Sequence, residues 1–284
     1  MKALTYSTRF GGIRYWTNSY LSHRPTLVFL PGLTADHTLF DKQVEAFDAS
    51  YNLLIWDAPG HAQSRPFRLE FTLRDKAQWL HEILENYITD GSHPILIGQS
   101  MGGYVAQEYV SLYPKEVAGV ICIDSAPLER AYITSIELWM VRHVKPVYQC
   151  YPWNLLRKTA AKGCAVSAYG QDLMMRMTGV YSHAEYCTLA AFGYQILADA
   201  MERHTSPILN LTDEHRCAFP ILLLVGEHDR AGSCLRYCRA WSRRANLPVV
   251  YVPKAGHNSN TDNPQFVNEQ LQSFITNQIV NRNS

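Results

Sequence analysis

The chain has 284 residues, of which 47% are apolar and 12% aromatic, so it can bury a sizeable core and does not belong to the disordered classes. Its formal net charge is +1 and its pI is about 7.7, so nothing in the charge balance points to nucleic acid or an anionic membrane as the main partner. The first twelve residues contain no apolar run of signal-peptide length, and the longest apolar stretches are far shorter than the ~20 residues that cross a bilayer, so no stable membrane anchoring is expected.

Short β-rich runs alternate with helical patterns along the chain. Two N-terminal runs, residues 3–9 and 13–18, are predicted to form an antiparallel hairpin around a turn at Gly11-Gly12. Six later runs are apolar on both faces, as buried parallel strands require: residues 26–30, 53–56, 95–97, 117–123, 221–225 and 249–252. Helical periodicity occurs over residues 40–47, 73–87, 102–113, 235–244 and 265–278. This order predicts an α/β protein with a mostly parallel eight-stranded sheet and crossover helices.

One segment interrupts this alternation. From residue 127 to residue 217 there is no strand-like run, only helical patterns rich in Tyr, Trp and Met. A stretch of this length is too long for a loop inside a compact domain. We therefore expect a helical cap over residues 127–217, inserted after the sixth strand into a core made of residues 1–126 and 218–284.

The segment Gly98-Gln99-Ser100-Met101-Gly102 has the pattern G-x-S-x-G. A strand pattern ends just before it and a helical pattern starts just after it, which is the setting that holds a serine on a tight, strained turn. Glycines at 98 and 102 suit a turn too crowded for a Cβ, and the helix N-terminus beneath Ser100 would favour developing negative charge. The pattern indicates a nucleophilic serine; the alternative is a glycine-rich turn with a purely structural role.

A serine hydroxyl is a poor nucleophile unless a base takes its proton and an acid orients that base. His257 follows a glycine just past the last predicted strand, an unusual place for a core histidine. Asp229 follows the seventh strand, at a distance along the chain that fits one helix and one strand before His257. Asp124, at the end of the sixth strand, and Glu227 are the alternative acids. We predict Asp229 as the acid and His257 as the base.

Acyl transfer also needs an oxyanion hole, because the tetrahedral intermediate carries a negative charge on the former carbonyl oxygen. The backbone N–H of Met101, directly after the serine, is the first predicted donor. The second is expected from the loop Pro31-Gly32-Leu33-Thr34 after the third strand, with Leu33 favoured. Main-chain amides would do this work, so the Leu33 side chain is chemically irrelevant to it.

The seven cysteines are an odd number without a C-x-x-C pair, so neither a disulfide scaffold nor a zinc site is expected. Cys234 and Cys238 share a predicted helix face and are interpreted as small residues that pack inward. No cluster of His, Cys and carboxylate residues has metal-ligand spacing along the chain, so no metal is expected and activity should be indifferent to chelators. Reduced cysteines favour a cytoplasmic protein.

These motifs together resemble those of α/β-hydrolase-fold proteins over nearly the whole chain. The residues that carry the resemblance are Leu30-Pro31-Gly32-Leu33, Asp57-Ala58-Pro59-Gly60-His61-Ala62-Gln63-Ser64, Gly98-Gln99-Ser100-Met101-Gly102-Gly103, Gly226-Glu227-His228-Asp229 and Gly256-His257. The resemblance implies a catalytic triad of Ser100, Asp229 and His257, in that chain order, and no cofactor.

The chain departs from the family pattern at two positions. Pro31 stands where the oxyanion loop usually has His, and Ala62 replaces the second Gly of the turn after the fourth strand. The first departure leaves the oxyanion geometry open. Ser100 separates the chain from the dehalogenase and epoxide-hydrolase branches, which use an aspartate nucleophile. The Gly-Pro extension of the oxyanion loop expected in ring-cleavage C–C hydrolases is absent, so that branch is not favoured.

The predicted function is hydrolysis of an ester or thioester of a small-to-medium apolar acyl group through an acyl-serine intermediate. The alternatives are an acyltransferase, a lactonase or a C–C bond hydrolase using the same triad, and a non-catalytic ligand-binding relative. The expected partner is a small-molecule acyl substrate, with no nucleic acid; the oligomeric state is not predicted. The preference for an apolar acyl group comes from the aromatic and methionine side chains of residues 127–217, most of which are expected in the core of the cap: Trp139, Met140, Tyr148, Tyr151, Trp153, Met174, Met175, Met177, Tyr181, Tyr186, Phe192 and Tyr194.

Overall fold

The computed structural model of the chain describes residues 1–210 and 217–280. An eight-stranded sheet with the order β1-β2-β4-β3-β5-β6-β7-β8 lies at its centre. The strands are β1 (Lys2–Thr8), β2 (Gly11–Thr17), β3 (Thr26–Leu30), β4 (Asn52–Trp56), β5 (Ile95–Gln99), β6 (Gly119–Ile123), β7 (Ile221–Gly226) and β8 (Val249–Val252). β1 pairs with β2, and β2 with β4, antiparallel; the neighbours from β4 to β8 pair in parallel.

The sheet confirms the fold class predicted from the sequence. All eight predicted strands are present, and their ends differ from the predicted ones by at most two residues. β3, β4, β5 and β6 are buried along their whole length, which explains why their sequences are apolar on both faces.

The N-terminal hairpin is confirmed, but its turn lies two residues earlier than predicted. Thr8 pairs with Gly11, so residues 9–10 form the turn, and Gly11 and Gly12 begin β2. A Cβ on Gly11 would lie 2.6 Å from a ring carbon of Phe67. The prediction of a turn at Gly11-Gly12 is wrong because Gly11 is needed for this close approach and not for the reversal of the chain.

Helices cover both faces of the sheet and give it two hydrophobic clusters, one around Leu80, Tyr109 and Trp241 and one around Phe40 and Leu271. The helices are α1 (Asp41–Phe47), α2 (Leu73–Tyr87), α3 (Met101–Leu112), α4 (Ser135–Arg142), α5 (Val144–Cys150), α6 (Trp153–Cys164), α7 (Ala168–Gly179), α8 (His183–Arg203), α9 (Cys234–Ala245), α10 (Ser259–Asp262) and α11 (Pro264–Phe274). The last predicted helix is shorter than expected, since α11 is followed by a π-helical turn over Ile275–Val280. No helix in the described ranges is long and apolar enough to span a bilayer.

The chain between β6 and β7 is helical in its described part. It contains a short 3₁₀ turn (Arg130–Tyr132) and the helices α4 to α8, and residues 127–210 hold no strand. A small cluster is formed within this segment, with Leu69 of the core against it: Leu156, Tyr181, Tyr186, Cys187, Leu189 and Ala190. Other side chains, such as Leu138 and Met174, instead join the two clusters of the sheet. Residues 211–216, the end of the predicted cap, lie outside the described residues.

Candidate active site

Ser100 lies on the turn between β5 and α3. Its backbone has φ of 50° and ψ of −116°, a conformation that costs of order 1–3 kcal/mol for a residue with a side chain. Close packing holds it there: a Cβ on Gly98 would lie 2.4 Å from the backbone nitrogen of Gly103, and one on Gly102 would lie 1.8 Å from the carbonyl oxygen of Leu30. The glycines of the G-x-S-x-G pattern are therefore required by the approach of neighbouring backbone.

The turn is also tied to the end of β6. The N–H of Ser100 donates to the carbonyl of Ile123 at 2.9 Å, and the hydroxyl of Ser125 donates to the carbonyl of Ser100 at 2.9 Å. These two hydrogen bonds fix the backbone on both sides of the serine. The Ser100 side chain is thus presented by a rigid main chain.

His257 bridges Ser100 and Asp229. Its Nε2 lies 2.8 Å from Oγ of Ser100, and its Nδ1 lies 2.9 Å from Oδ2 of Asp229. The side chain of Asp229 is fully buried, whereas 13% of the His257 side chain is exposed. The loop after β8 is positioned by Gln99, whose side-chain amide donates to the carbonyl of His257 at 2.7 Å. The structure therefore brings together the three residues predicted as nucleophile, base and acid.

The two alternative acids are engaged elsewhere. Both carboxylate oxygens of Asp124 accept backbone hydrogen bonds, from the N–H of Gly226 at 2.7 Å and from that of Ser259 at 2.8 Å. Glu227 is exposed and accepts from the N–H of Lys254 at 3.3 Å. Asp229, in contrast, accepts from the N–H of Ala231 with one oxygen and presents the other to the imidazole. Of the three acidic residues, Asp229 is the one hydrogen-bonded to His257.

The electrostatics of the site favour a charged imidazole. Burial lowers the pKa of His257, but the charge of Asp229, its hydrogen bond and the charge of Asp124 outweigh burial, so the pKa is raised above the usual 6.5. Burial, together with the charge of Asp229, raises the pKa of Asp124, against the opposing effects of His257 and of the hydrogen bonds that Asp124 accepts from Ser259 and Gly226. A base with a raised pKa accepts a serine proton more readily, because the same interactions that raise the pKa stabilise the imidazolium that forms.

The loop after β3 lies against the nucleophile. A Cβ on Gly32 would lie 2.4 Å from the side-chain oxygen of Gln99 and 3.2 Å from Cβ of Ser100. Within the described ranges, no group accepts a hydrogen bond from the N–H of Leu33 or of Met101. The two amides predicted for the oxyanion hole are therefore free to donate to a ligand, although Pro31 replaces the histidine usual in this loop.

Two cavities meet at the serine. They share the lining residues Leu33, Ser100, Tyr194, Ala231, Gly232 and His257. The first, called the apolar cavity here, has a volume of about 260 Å³, and its further lining includes Ile133, Met140, Val141, Leu197 and Met201. The second, called the mixed cavity, has a volume of about 300 Å³, and its further lining includes Thr34, Tyr148, Met174, Tyr186, Ala190 and Arg230.

The sequence identified only part of this lining. Of the aromatic and methionine residues predicted for the cap, the cavities use Met140, Tyr148, Met174, Tyr186 and Tyr194, whereas Trp139 and Tyr151 are exposed. Tyr104 also lines the apolar cavity. Its position one helical turn after Ser100 could have identified it, because residues four apart lie on the same side of a helix. The sequence gives no such signal for Leu197 and Met201. An apolar residue on a helix indicates that its side chain is buried, but not whether it faces the core or a cavity.

Two groups of side chains in the described ranges have the donor atoms for a metal ion. One consists of Asp229, Cys234 and His257, and the other of Asp36, His37 and Asp57; within each group the donor atoms lie within 4.8 Å of one another. In the second group Asp57 already accepts from the backbone N–H of His37 and contacts its ring nitrogen, both at 2.8 Å. Neither group was visible as metal-ligand spacing along the sequence, because each is assembled from different loops.

Comparison with known proteins settles the family. The alpha/beta hydrolase family matches residues 27–270. The chain belongs to this family. It is 25% identical over 285 residues to an uncharacterized carboxylesterase of Bacillus subtilis (96% of this chain, 86% of that protein) and 22% identical over 260 residues to a 2-(acetamidomethylene)succinate hydrolase of Mesorhizobium japonicum (88% of each).

Its fold is shared with a thermophilic esterase of Thermogutta terrifontis, with a TM-score of 0.76 at 20% identity over 97% of this chain and 98% of that one. The family match and these relatives confirm the family expected from the sequence motifs and support a hydrolase.

Proposed function

We propose that this α/β hydrolase is a serine hydrolase that cleaves an ester or thioester of a small-to-medium apolar acyl group through an acyl-serine intermediate. The observation that carries the proposal is the position of His257, with one ring nitrogen on Ser100 and the other on Asp229. This is the arrangement in which a serine has a base for its proton and the base has an acid that fixes its tautomer.

The reaction follows from these contacts. Ser100 Oγ attacks the substrate carbonyl carbon while its proton passes to Nε2 of His257, and the buried Asp229 carboxylate stabilises the imidazolium. The carbonyl oxygen becomes an oxyanion that accepts hydrogen bonds from the N–H groups of Leu33 and Met101. On collapse, the proton on His257 goes to the leaving alcohol or thiol. A water molecule, deprotonated by the same histidine, then attacks the carbonyl carbon of the acyl-serine. The histidine returns this proton to Ser100 Oγ as the bond between Oγ and the acyl carbon breaks and the acid leaves.

The preference for an apolar acyl group is supported by the apolar cavity. Its lining beyond the reacting residues comes mainly from aliphatic and methionine side chains, including Ile133, Val141, Leu197 and Met201. A cavity of about 260 Å³ suits a short or medium acyl chain and not a long lipid tail. We propose that the acyl group enters this cavity and the leaving group the mixed cavity, where Arg230 and tyrosines offer polar contacts.

We further propose that residues 127–217 act as a cap on a core of residues 1–126 and 218–284. The proposal is supported by the helical segment itself, which supplies Met140 to the apolar cavity, Tyr148 and Tyr186 to the mixed cavity, and Tyr194 to both. Substrate selection would then depend on this segment, while the chemistry depends on the core. The cytoplasmic location expected from the sequence stays a prediction.

The chemistry is tested with a fluorophosphonate probe and a set of p-nitrophenyl esters, acyl-CoAs and lactones, each with and without acceptor alcohols. We expect the probe to label the wild type, and Ser100→Ala to lose both labelling and turnover. Ser111→Ala is the matched control. Ser111 lies in α3, the helix that follows Ser100, and its hydroxyl donates to the carbonyl of Glu108 in the same helix, so its loss should leave labelling intact. Labelling that survives in Ser100→Ala would remove Ser100 from the mechanism.

The same assay distinguishes an esterase from a lactonase, an acyltransferase and a ligand-binding relative. Turnover in water supports an esterase or thioesterase, and preferential turnover of lactones supports a lactonase. Product that forms only with an acceptor alcohol indicates an acyltransferase. Saturable binding of a substrate without turnover would indicate a non-catalytic, ligand-binding relative of these enzymes.

A further inference from the structure

A thiol lies beside the base and the acid of the proposed active site. Cys234 opens α9, directly after the loop that carries Asp229, and it is 5% exposed. Its sulfur, an oxygen of Asp229 and a ring nitrogen of His257 lie within 4.8 Å of one another. Thiolate, imidazole and carboxylate are the ligands that zinc takes in proteins. We propose that these three side chains form an inhibitory site for Zn²⁺ or the chemically similar Cd²⁺.

A second thiol extends the donor set. Cys238 lies one helical turn after Cys234, and the two sulfurs are 3.8 Å apart. Two thiolates on one tetrahedral zinc, each with a Zn–S bond of 2.3 Å, are separated by about 3.8 Å. Cys238 donates its S–H to the carbonyl of Ser125 and would have to give up that bond to bind the ion. Cys234 is therefore the essential sulfur ligand, and Cys238 a fourth ligand that strengthens the site.

The site is inhibitory because it uses atoms that the proposed mechanism needs. Both ring nitrogens of His257 are engaged, one with Ser100 and the other with Asp229. An ion on either nitrogen removes one of these contacts, and it takes up the lone pair of the neutral ring, so the imidazole can no longer accept the proton of Ser100. The ion can reach the site through the apolar cavity, since Cys234 and His257 both line it. On binding, the Cys234 thiol loses its proton to the solvent, as does the Cys238 thiol when it becomes the fourth ligand, and no residue is oxidised or reduced.

This inference rests on the proposed function only in that inhibition needs an active enzyme; binding of the ion does not. Binding is measured with Co²⁺, whose thiolate complexes have a charge-transfer absorption that an imidazole–carboxylate site lacks. We expect this absorption in the wild type and in Ser100→Ala, and we expect it to be lost in Cys234→Ala. Cys150→Ala is the matched control, because Cys150 is an exposed thiol of the helical segment and its loss should change nothing.

Inhibition is measured as turnover, or as fluorophosphonate labelling rate, against free Zn²⁺. We expect EDTA alone to leave activity unchanged, added Zn²⁺ to abolish it, and EDTA to restore it. In Cys234→Ala the Zn²⁺ concentration for half-inhibition, relative to that variant's own activity, should rise at least about tenfold, and in Cys238→Ala by less.

The outcomes separate the two proposals. Equal sensitivity to Zn²⁺ in wild type and Cys234→Ala, or an active enzyme that Zn²⁺ does not affect, would overturn the site and leave the proposed function standing. A wild type without labelling or turnover in metal-free buffer, but with the Cys234-dependent cobalt absorption, would overturn the function and leave the site. If Cys234→Ala does not fold, His257→Asn in the cobalt experiment decides instead: an unchanged thiolate absorption spectrum would exclude His257 as a ligand.

Discussion

Nδ1 of His257 lies 2.9 Å from Oδ2 of Asp229, whose carboxylate is fully buried in the loop that follows β7. Asp124 follows the neighbouring strand β6 and is just as buried, but it gives its two oxygens to the backbone N–H groups of Gly226 and Ser259. The two aspartates therefore have different contacts: Asp229 orients the ring of His257, and Asp124 ties the end of β7 to the loop after β8, which carries His257.

Replacing Asp229 by Asn should leave the fold intact and reduce turnover by a factor on the order of 10⁴, the size of effect found in serine proteases when the acid can no longer fix the tautomer of the base. Steady-state kinetics on an activated ester, with circular dichroism to verify folding, measure this. Glu227→Gln is the control, since Glu227 is exposed and should be replaceable at little cost. A folded Asp229→Asn enzyme with near-normal turnover would show that another group orients His257.

Replacing Asp124 by Asn should mainly reduce stability. An amide NH₂ would face one of the two backbone N–H donors, so that donor would lose its acceptor inside the protein, at a cost of about 1–3 kcal/mol in the free energy of unfolding. Urea denaturation measures the loss. Turnover of the folded variant should fall much less than in Asp229→Asn. The opposite order of activities would make Asp124 the catalytic acid.

The pH dependence of kcat/KM should follow the titration of His257. The base works only when it is neutral, so activity should rise with pH through the pKa of His257. This pKa is raised above 6.5: burial lowers it, but the contacts with Asp229 and the charge of Asp124 outweigh burial. We therefore expect a midpoint above 6.5 for a substrate that does not titrate, and a lower midpoint for the residual activity of Asp229→Asn. A wild-type midpoint below 6.5 would contradict these electrostatics.

The turn that carries Ser100 should not tolerate a side chain at Gly102. A Cβ there would lie 1.8 Å from the carbonyl oxygen of Leu30, and neither backbone can yield without moving β3 or α3. We expect Gly102→Ala to unfold or to melt far below the wild type in a thermal denaturation experiment. Gly163→Ala is the control: nothing lies within 4 Å of a Cβ at this position of α6, so the change should be neutral or stabilise by up to about 1 kcal/mol.

The two cavities should control different halves of the substrate. Leu197→Phe fills part of the apolar cavity with a larger side chain. We therefore expect activity to shift toward shorter acyl groups, measured as kcat/KM across p-nitrophenyl esters from acetate to octanoate. Ala190→Leu narrows the mixed cavity and should instead change the relative rates for esters that share one acyl chain but differ in leaving group. If instead Leu197→Phe changes the preference for the leaving group and Ala190→Leu changes the preference for acyl length, the acyl group occupies the mixed cavity and the leaving group the apolar cavity.

The sequence by itself determined the sheet and pointed to Ser100 and His257, the residues we propose as nucleophile and base. Strands β3 to β6 are readable because both of their faces are buried, which makes them continuous apolar runs bounded by turns. Ser100 is readable because it lies between Gly98 and Gly102, where the backbone leaves no room for a side chain, and His257 is readable because it follows a glycine just past the last strand. Burial on both strand faces and crowding around a turn leave patterns in short segments, so the sequence of each segment is sufficient to predict them.

Only the tertiary structure decided what depends on contacts between distant segments. It distinguished Asp229 from Asp124, since both follow strand ends and they differ only in their hydrogen-bond partners. It showed that the hairpin turn lies before Gly11, which is needed for the close approach of Phe67, a residue distant in the sequence. It merged much of the helical segment with the clusters of the sheet, where the sequence had suggested a cap with its own core. It also placed Cys234 beside His257, because α9 and the loop after β8 meet only when β7 and β8 pair.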